Sequence, residues 1–149
     1  MTTQQAIEAL HALPRMGQGA PGLARMQNLC DHLGNPEKEL QCIHIAGTNG
    51  KGSTAIMIEA LLLALGLRVG RVASPHLVDL TERISLDGRP MDAAAFDALV
   101  GDVQPLVDLV DAQQLDGVAM TFFEVMTGLA YEAFAQAPVD VAVVEVGLG

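Results

Sequence analysis

With 149 residues, half of them hydrophobic, the chain has the size of one domain and needs no disulfides to build a core. A formal net charge of −10 argues against a nucleic-acid partner and means that any anionic ligand must be held by local groups. Aromatics make up only 3%, and the apolar residues are mostly Ala, Val, Leu, Ile and Met, a mixture that suits helices on a parallel sheet better than a β-sandwich.

Residues 4–13 read as an amphipathic helix stopped by Pro14, followed by the Gly/Pro loop "RMGQGAPG". Pro21 opens a second helix to about Leu33, closed by Gly34-Asn35-Pro36. Residues 1–20 lack the basic stretch and apolar block of a secretory signal, so a cytoplasmic location is expected. Cys30 and Cys42 have no metal or redox spacing and are expected to be reduced, mostly buried thiols. "QCIHIAG" reads as a buried strand, and Ser53 to Leu65 as a helix with Gly66 as its stop. The run Ile56 to Leu67 is too short for a membrane span and is interrupted by Glu59. "LRVGRVAS" is a second strand, and residues 74–91 a long loop with a small hairpin at Asp87-Gly88. Asp92 caps a helix to about Asp111, Thr121 starts another to about Gln136, and "PVDVAVVEVG" is a third apolar strand. Strands alternating with helices predict an α/β fold with a parallel sheet flanked by helices. The chain stops directly after that third strand. An apolar edge strand there would be an aggregation hazard, so a fragment of a longer protein is expected. Glu8, Asp97, Asp102, Asp108 and Asp111 read as solvated helix faces, and Met16, Met26, Met57 and Met126 as core or loop filler.

The first strand and the next helix are joined by "GTNGKGST", residues 47–54. Such a loop collects unpaired backbone N–H groups at a helix amino end, where the dipole favours an anion. Gly47, Gly50 and Gly52 let the backbone wrap closely, Lys51 supplies a mobile charge for β- and γ-phosphates, and a hydroxyl of Ser53 or Thr54 can help hold phosphate or metal. The usual phosphate loop, G-x-x-x-x-G-K-S/T, is not matched: Ile45 stands where it needs glycine and Gly52 where it needs a hydroxyl. The pattern is a shorter variant, with Thr48 and Asn49 between its first two glycines, and it implies a nucleotide triphosphate.

Three further motifs carry two readings each. Ser74-Pro75-His76 follows the second strand and is either a Ser-Pro turn or part of a ligand site at the strand's carboxyl end. Glu82-Arg83 is either a solvated pair or a group that orders this loop over substrate. Thr121-Phe122-Phe123-Glu124 is a capping box, and its clustered rings are either core or the wall of a flat ligand. Glu145 stands alone in an apolar strand, costly unless paired or bound to a metal.

The octapeptide together with "SPHL", "ERI", "TFFE" and "VAVVEVGLG" resembles the folylpolyglutamate synthase/dihydrofolate synthase family, related to the Mur ligases. The resemblance runs from about Ile43 to Gly149, and the family's next motif would follow Gly149. It implies a truncated Mur-ligase-type central ATP-binding domain over 41–149, a helical segment over 1–40, and an absent C-terminal glutamate-ligase domain. It implies ATP-dependent joining of L-glutamate to dihydropteroate or folate through an acyl phosphate, by a monomeric enzyme that meets neither nucleic acid nor membrane. This fragment alone is expected to be inactive. By the same resemblance Ser74 and Glu145 hold Mg²⁺, Lys51 and Glu145 serve catalysis, the loop after Ser74 closes over the pterin, and residues 121–124 line the pteroate site. A Mur-type peptidoglycan ligase and a non-catalytic nucleotide-binding module are the other readings. "SPHL" and "TFFE" count against the first, and Glu145 with the aromatic cluster counts against the second.

Overall fold

The computed structural model describes residues 23–46, 51–73, 84–117 and 119–145, with Gln5, Glu8 and Leu10, and excepting the side chains of Lys51, Asp116 and Phe123. The described residues divide into two units, one drawn from Met1–Lys38 and Ala93–Glu132, the other from Glu39–Asp92 and Ala133–Gly149.

The first unit is helical. Gln5, Glu8 and Leu10 are helical, and Leu10 is fully buried. Helix α1 runs Ala24–His32 and stops where the sequence predicts, with Gly34 and Asn35 both at positive φ and the Asn35 N–H reaching back to the Cys30 carbonyl at 2.7 Å. A 3₁₀ turn, Pro36–Lys38, follows. Helix α3, Ala93–Ala112 (α2, Lys51–Ala64, belongs to the second unit), buries Phe96, Leu99, Val100, Val103, Val107 and Val110, a stripe at helical period. It continues through Pro105, which removes one backbone donor and crowds the carbonyl of Gly101. Helix α4, Phe122–Gln136, starts at the predicted cap.

The second unit is a sheet with helix α2, Lys51–Ala64, on one face. Its strands are β1 (Cys42–Ile45), β2 (Val69–Val72), β3 (Ile84–Leu86), β4 (Arg89–Pro90) and β5 (Val141–Glu145), in the order β1-β5-β2-β3-β4. Strands β1, β5 and β2 are parallel, as predicted. The Asp87-Gly88 hairpin adds β3 and β4 antiparallel, so the sheet is mixed. Both turn residues have positive φ, 53° and 85°, as a two-residue turn between twisted strands requires. Ile45, Val69, Val141 and Val143 pack on Ala55, with Ile58 and Leu62 beside it. Helix α2 ends in a Schellman turn: Gly66 has φ +84°, and the Leu67 N–H donates to the Leu62 carbonyl at 3.2 Å. On the other sheet face a methyl at Gly70 would collide with the fully buried Phe134 ring, so the sheet needs glycine there. Arg68 ties the amino ends of β2 and β5 to the hairpin: its N–H donates to Asp140 at 2.7 Å and its guanidinium to Asp87 and the Ala137 carbonyl.

Several expectations change. β1, expected to be a buried strand, buries only Ile45 and exposes Cys42 and His44. β5 lies between β1 and β2 rather than at an edge, because its valines find partners on both sides; the hazard argument built on an edge strand loses its premise. Cys42 is exposed on β1 while Cys30 is buried. Met57 is 64% exposed rather than core filler. Asp111 is more than a solvated face, since it accepts the Met120 N–H at 2.8 Å.

Candidate functional site

In the second unit the parallel register brings three strand ends to one level. Ile45 pairs with Glu145, and Val72 with Val144. The chain leaving β1 becomes the glycine loop, the chain leaving β2 becomes Ser74-Pro75-His76, and Glu145 ends β5. This is the carboxyl side of a parallel sheet, where α/β folds bind ligands. Gly47, Thr48, Asn49 and Gly50 lie outside the described residues, as do Ser74, Pro75, His76, Glu82 and Arg83.

Lys51 begins α2, two residues earlier than the predicted Ser53, so Gly52, Ser53 and Thr54 form its first turn. All three are exposed. A glycine inside a helix costs about 1 kcal/mol against alanine. Among the described residues, an added methyl at Gly52 would meet no atom within 4 Å. Open space over a helix's first turn, where N–H groups lack intrahelical partners, suits the close approach of an anion.

Glu145 is half-buried. Strand alternation puts it on the same sheet face as Val141 and Val143, the face that carries α2. A carboxylate at that end is a hard oxygen donor of the kind Mg²⁺ takes. Among the described residues no group of three or more His, Cys, Asp or Glu gathers as a metal cage. One or two protein oxygens, with phosphate and water completing the shell, fits Mg²⁺ better than a dedicated all-protein site.

In the first unit the capping box closes. The Glu124 N–H donates to Thr121 Oγ1 at 3.2 Å, and the Thr121 N–H donates to Glu124 Oε1 at 2.9 Å. Thr121 is 8% exposed and Phe122 5%, so the Phe122 ring packs within protein, one of its two predicted readings. The Phe123 side chain lies outside the described residues.

Charged residues that the motif reading passed over are buried beside these elements. Arg25 of α1 is 4% exposed and its Nε donates to Glu124 Oε1 at 3.0 Å. In the second unit Arg71 of β2 donates from Nε to Glu59 Oε1 of α2 at 3.1 Å and from Nη2 to Ser85 Oγ of β3 at 3.2 Å. The signal for Glu59 was available: it falls on the helical stripe of Ala55, Ile58 and Leu62, where a charge needs a partner. Burial pushes the Cys30 thiol up to about 12, aided by its hydrogen bond to Glu37.

No protein-family model matches the chain. It is 52% identical over 134 residues to a dihydrofolate synthase/folylpolyglutamate synthase of Mycobacterium tuberculosis, covering 87% of this chain and 28% of that protein. It is 40% identical over 147 residues to the enzyme of the same name from Bacillus subtilis, covering 98% of this chain and 34% of that protein. Among solved structures, a Mycobacterium tuberculosis folylpolyglutamate synthase complexed with ADP superposes with a TM-score of 0.91 at 48% identity, over 99% of this chain and 32% of that one. A folylpolyglutamate synthase complex with AMPPCP and folate superposes with a TM-score of 0.90 at 40% identity, over 100% of this chain and 36% of that one. The resemblance read from the motifs holds along the chain, which spans about a third of these relatives.

Proposed function

With the chain's place among the folylpolyglutamate/dihydrofolate synthases as the premise, we infer that it forms the phosphate-binding part of an ATP-dependent ligase joining L-glutamate to a dihydropteroate- or folate-type carboxylate. The observation that supports this is the register that ends β1, β5 and β2 at one level, with Ile45 paired to Glu145 and α2 beginning at Lys51, six residues after β1 ends. Relatives solved with ADP, or with AMPPCP and folate, support both substrates.

The chemistry follows from leaving groups. A carboxylate oxygen does not leave, so the γ-phosphoryl of ATP is transferred to it, with ADP departing. The glutamate amine then attacks the acyl carbon, its proton is lost, and inorganic phosphate leaves as the amide forms. Lys51 and the N–H groups of residues 47–54 hold the β- and γ-phosphates and neutralise charge as it develops. Ser53 or Thr54 adds a hydroxyl to phosphate or metal. Ser74 and Glu145 would hold Mg²⁺, which supplies charge neutralisation on the phosphates when bound. By the same resemblance, Thr121 to Glu124 would line the pteroate side. The glutamate site is assigned to none of the residues here. No helix among the described residues is long and apolar enough to cross a membrane. That the enzyme is cytoplasmic and monomeric belongs to the proposal and rests on the resemblance.

The test is phosphate release by the full-length protein with ATP, with and without dihydropteroate plus glutamate. Glu145→Gln sharpens it, because the swap keeps shape and one acceptor oxygen but removes the charge that Mg²⁺ prefers. The variant is expected to need much more Mg²⁺ for half-maximal rate while binding ATP without metal as well as before. No stimulation by the two substrates would overturn the reaction, and an unchanged Mg²⁺ titration would overturn the metal role.

A further inference from the structure

An ordinary capping box is local: it needs only a helix's own first residues. At the start of α4 a third party enters. Glu124 Oε1 accepts the Thr121 N–H at 2.9 Å and also Arg25 Nε at 3.0 Å, a donor 99 residues earlier in the chain. Arg25 is 4% exposed, and burying a guanidinium is costly without a charged partner. One helical turn further along both helices the contact repeats. Leu29 lies four residues after Arg25, Gly128 four after Glu124, and a methyl on Gly128 would fall 2.6 Å from Leu29 Cδ2. The small residue at Gly128 lets Leu29 come in, and two rungs then fix α1 against the first turns of α4: one apolar, one a charge-assisted hydrogen bond.

The first turn of a helix is where fraying begins, because its N–H groups lack intrahelical acceptors. Holding Glu124 from outside sets the direction of that turn as well as its caps. We infer that Arg25 is a positioning residue for the folate-type substrate, fixing the amino end of α4 through Glu124. This rests on the reading of Thr121 to Glu124 as part of the pteroate site. Arg25 does not touch the reacting atoms. It makes the turn rigid before substrate arrives, so that ordering it does not subtract from binding. Lysine at this position keeps the charge but loses the planar fork that reaches Glu124 from Nε.

The experiment uses the full-length protein and four variants, Arg25→Gln, Arg25→Lys, Glu124→Gln and the double Arg25→Gln/Glu124→Gln, with Phe123→Ala as a probe of the underlying site reading. Steady-state kinetics give separate KM values for dihydropteroate and ATP, and hydrogen exchange follows the amides of residues 121–125. Arg25→Gln is expected to raise the dihydropteroate KM about tenfold, the size of one charged hydrogen bond, with the ATP KM moved less than about twofold. The double variant is expected to be no worse than Arg25→Gln, Arg25→Lys to fall between, and exchange at 121–125 to quicken. If Phe123→Ala raises the dihydropteroate KM while Arg25→Gln leaves it unchanged, the positioning role is overturned and the site reading stands. If Phe123→Ala leaves it unchanged, the site reading falls and the inference with it. Equal rises in both KM values would mean general loosening and would also overturn the role. Should Arg25→Gln fail to fold, Glu124→Gln and Arg25→Lys carry the same comparison.

Discussion

Replacing Arg71 with methionine tests how the second unit is held together. Arg71 and Glu59 are both largely out of water, with side chains 16% and 6% exposed, and they meet at 3.1 Å. Removing the guanidinium leaves a carboxylate among Ala55, Ile58 and Leu62 and strips the buried Ser85 hydroxyl of its donor. Breaking a buried pair from one side costs about 3–5 kcal/mol, a large share of the ~5–15 kcal/mol that holds a typical domain. Among the described residues the pair is under-satisfied, because Glu59 Oε2 is buried and meets no hydrogen-bond partner there. An apolar replacement of both residues therefore has something to recover. Arg71→Met/Glu59→Leu should stand within about 1 kcal/mol of the native protein, far from the sum of the single losses. Urea unfolding of the full-length protein, followed by circular dichroism for the four members of the cycle, measures each term. A loss under about 1 kcal/mol for Arg71→Met, or a double variant that loses the sum of both singles, would refute the reasoning.

Lys51→Ala in the full-length protein should slow ligation by about 10²–10³-fold, the effect of losing one preorganised charge on a developing phosphoryl anion; a rate within threefold of native would remove Lys51 from the transferred phosphate. Gly70→Ala should cost about 1–3 kcal/mol in urea unfolding, because the new methyl must displace the buried Phe134 ring, and an unchanged midpoint would mean that ring yields freely. Iodoacetamide at pH 8 should label exposed Cys42 well before Cys30, whose thiol is buried and raised to about 12; labelling in the reverse order would contradict the packing of α1.

Much of the fold was legible because its signals are local. Thr121-x-x-Glu124 named the start of α4, Gly66 the end of α2, Gly34-Asn35 the end of α1, and Asp87-Gly88 a hairpin. Each is a short stretch whose backbone demands a particular residue type, and each holds in the structure. Strand order was not legible. β5 follows the other described strands in sequence yet lies inside the sheet, between β1 and β2, and nothing in "VAVVEV" says which neighbours cover it. Its run of valines says only that both faces are covered. The start of α2 at Lys51 was also misjudged, because Gly52 reads as a helix breaker until the helix dipole gives it a reason to be there.

The site was legible through charges standing in apolar frames, and so were the pairs that were missed. In the sequence Glu145 is a lone carboxylate in an apolar strand, and Glu59 an equally lone one in "IMIEALLLA". Ile56, Met57 and Leu61 of α2 are exposed while Glu59 faces in, on the stripe of Ala55, Ile58 and Leu62. It does so because β2 and β3 offer Arg71 and Ser85 on the covered face, information that lies 12 and 26 residues downstream. Position in the element separates the two carboxylates. Glu59 sits in the middle of a helix, closed in by partners from two strands. Glu145 sits at the end of β5, level with the ends of β1 and β2, on the carboxyl side of the parallel strands where α/β folds bind ligands. The same chemical oddity thus marks a structural pair when it lies within an element and a candidate ligand site when it lies at the element's end.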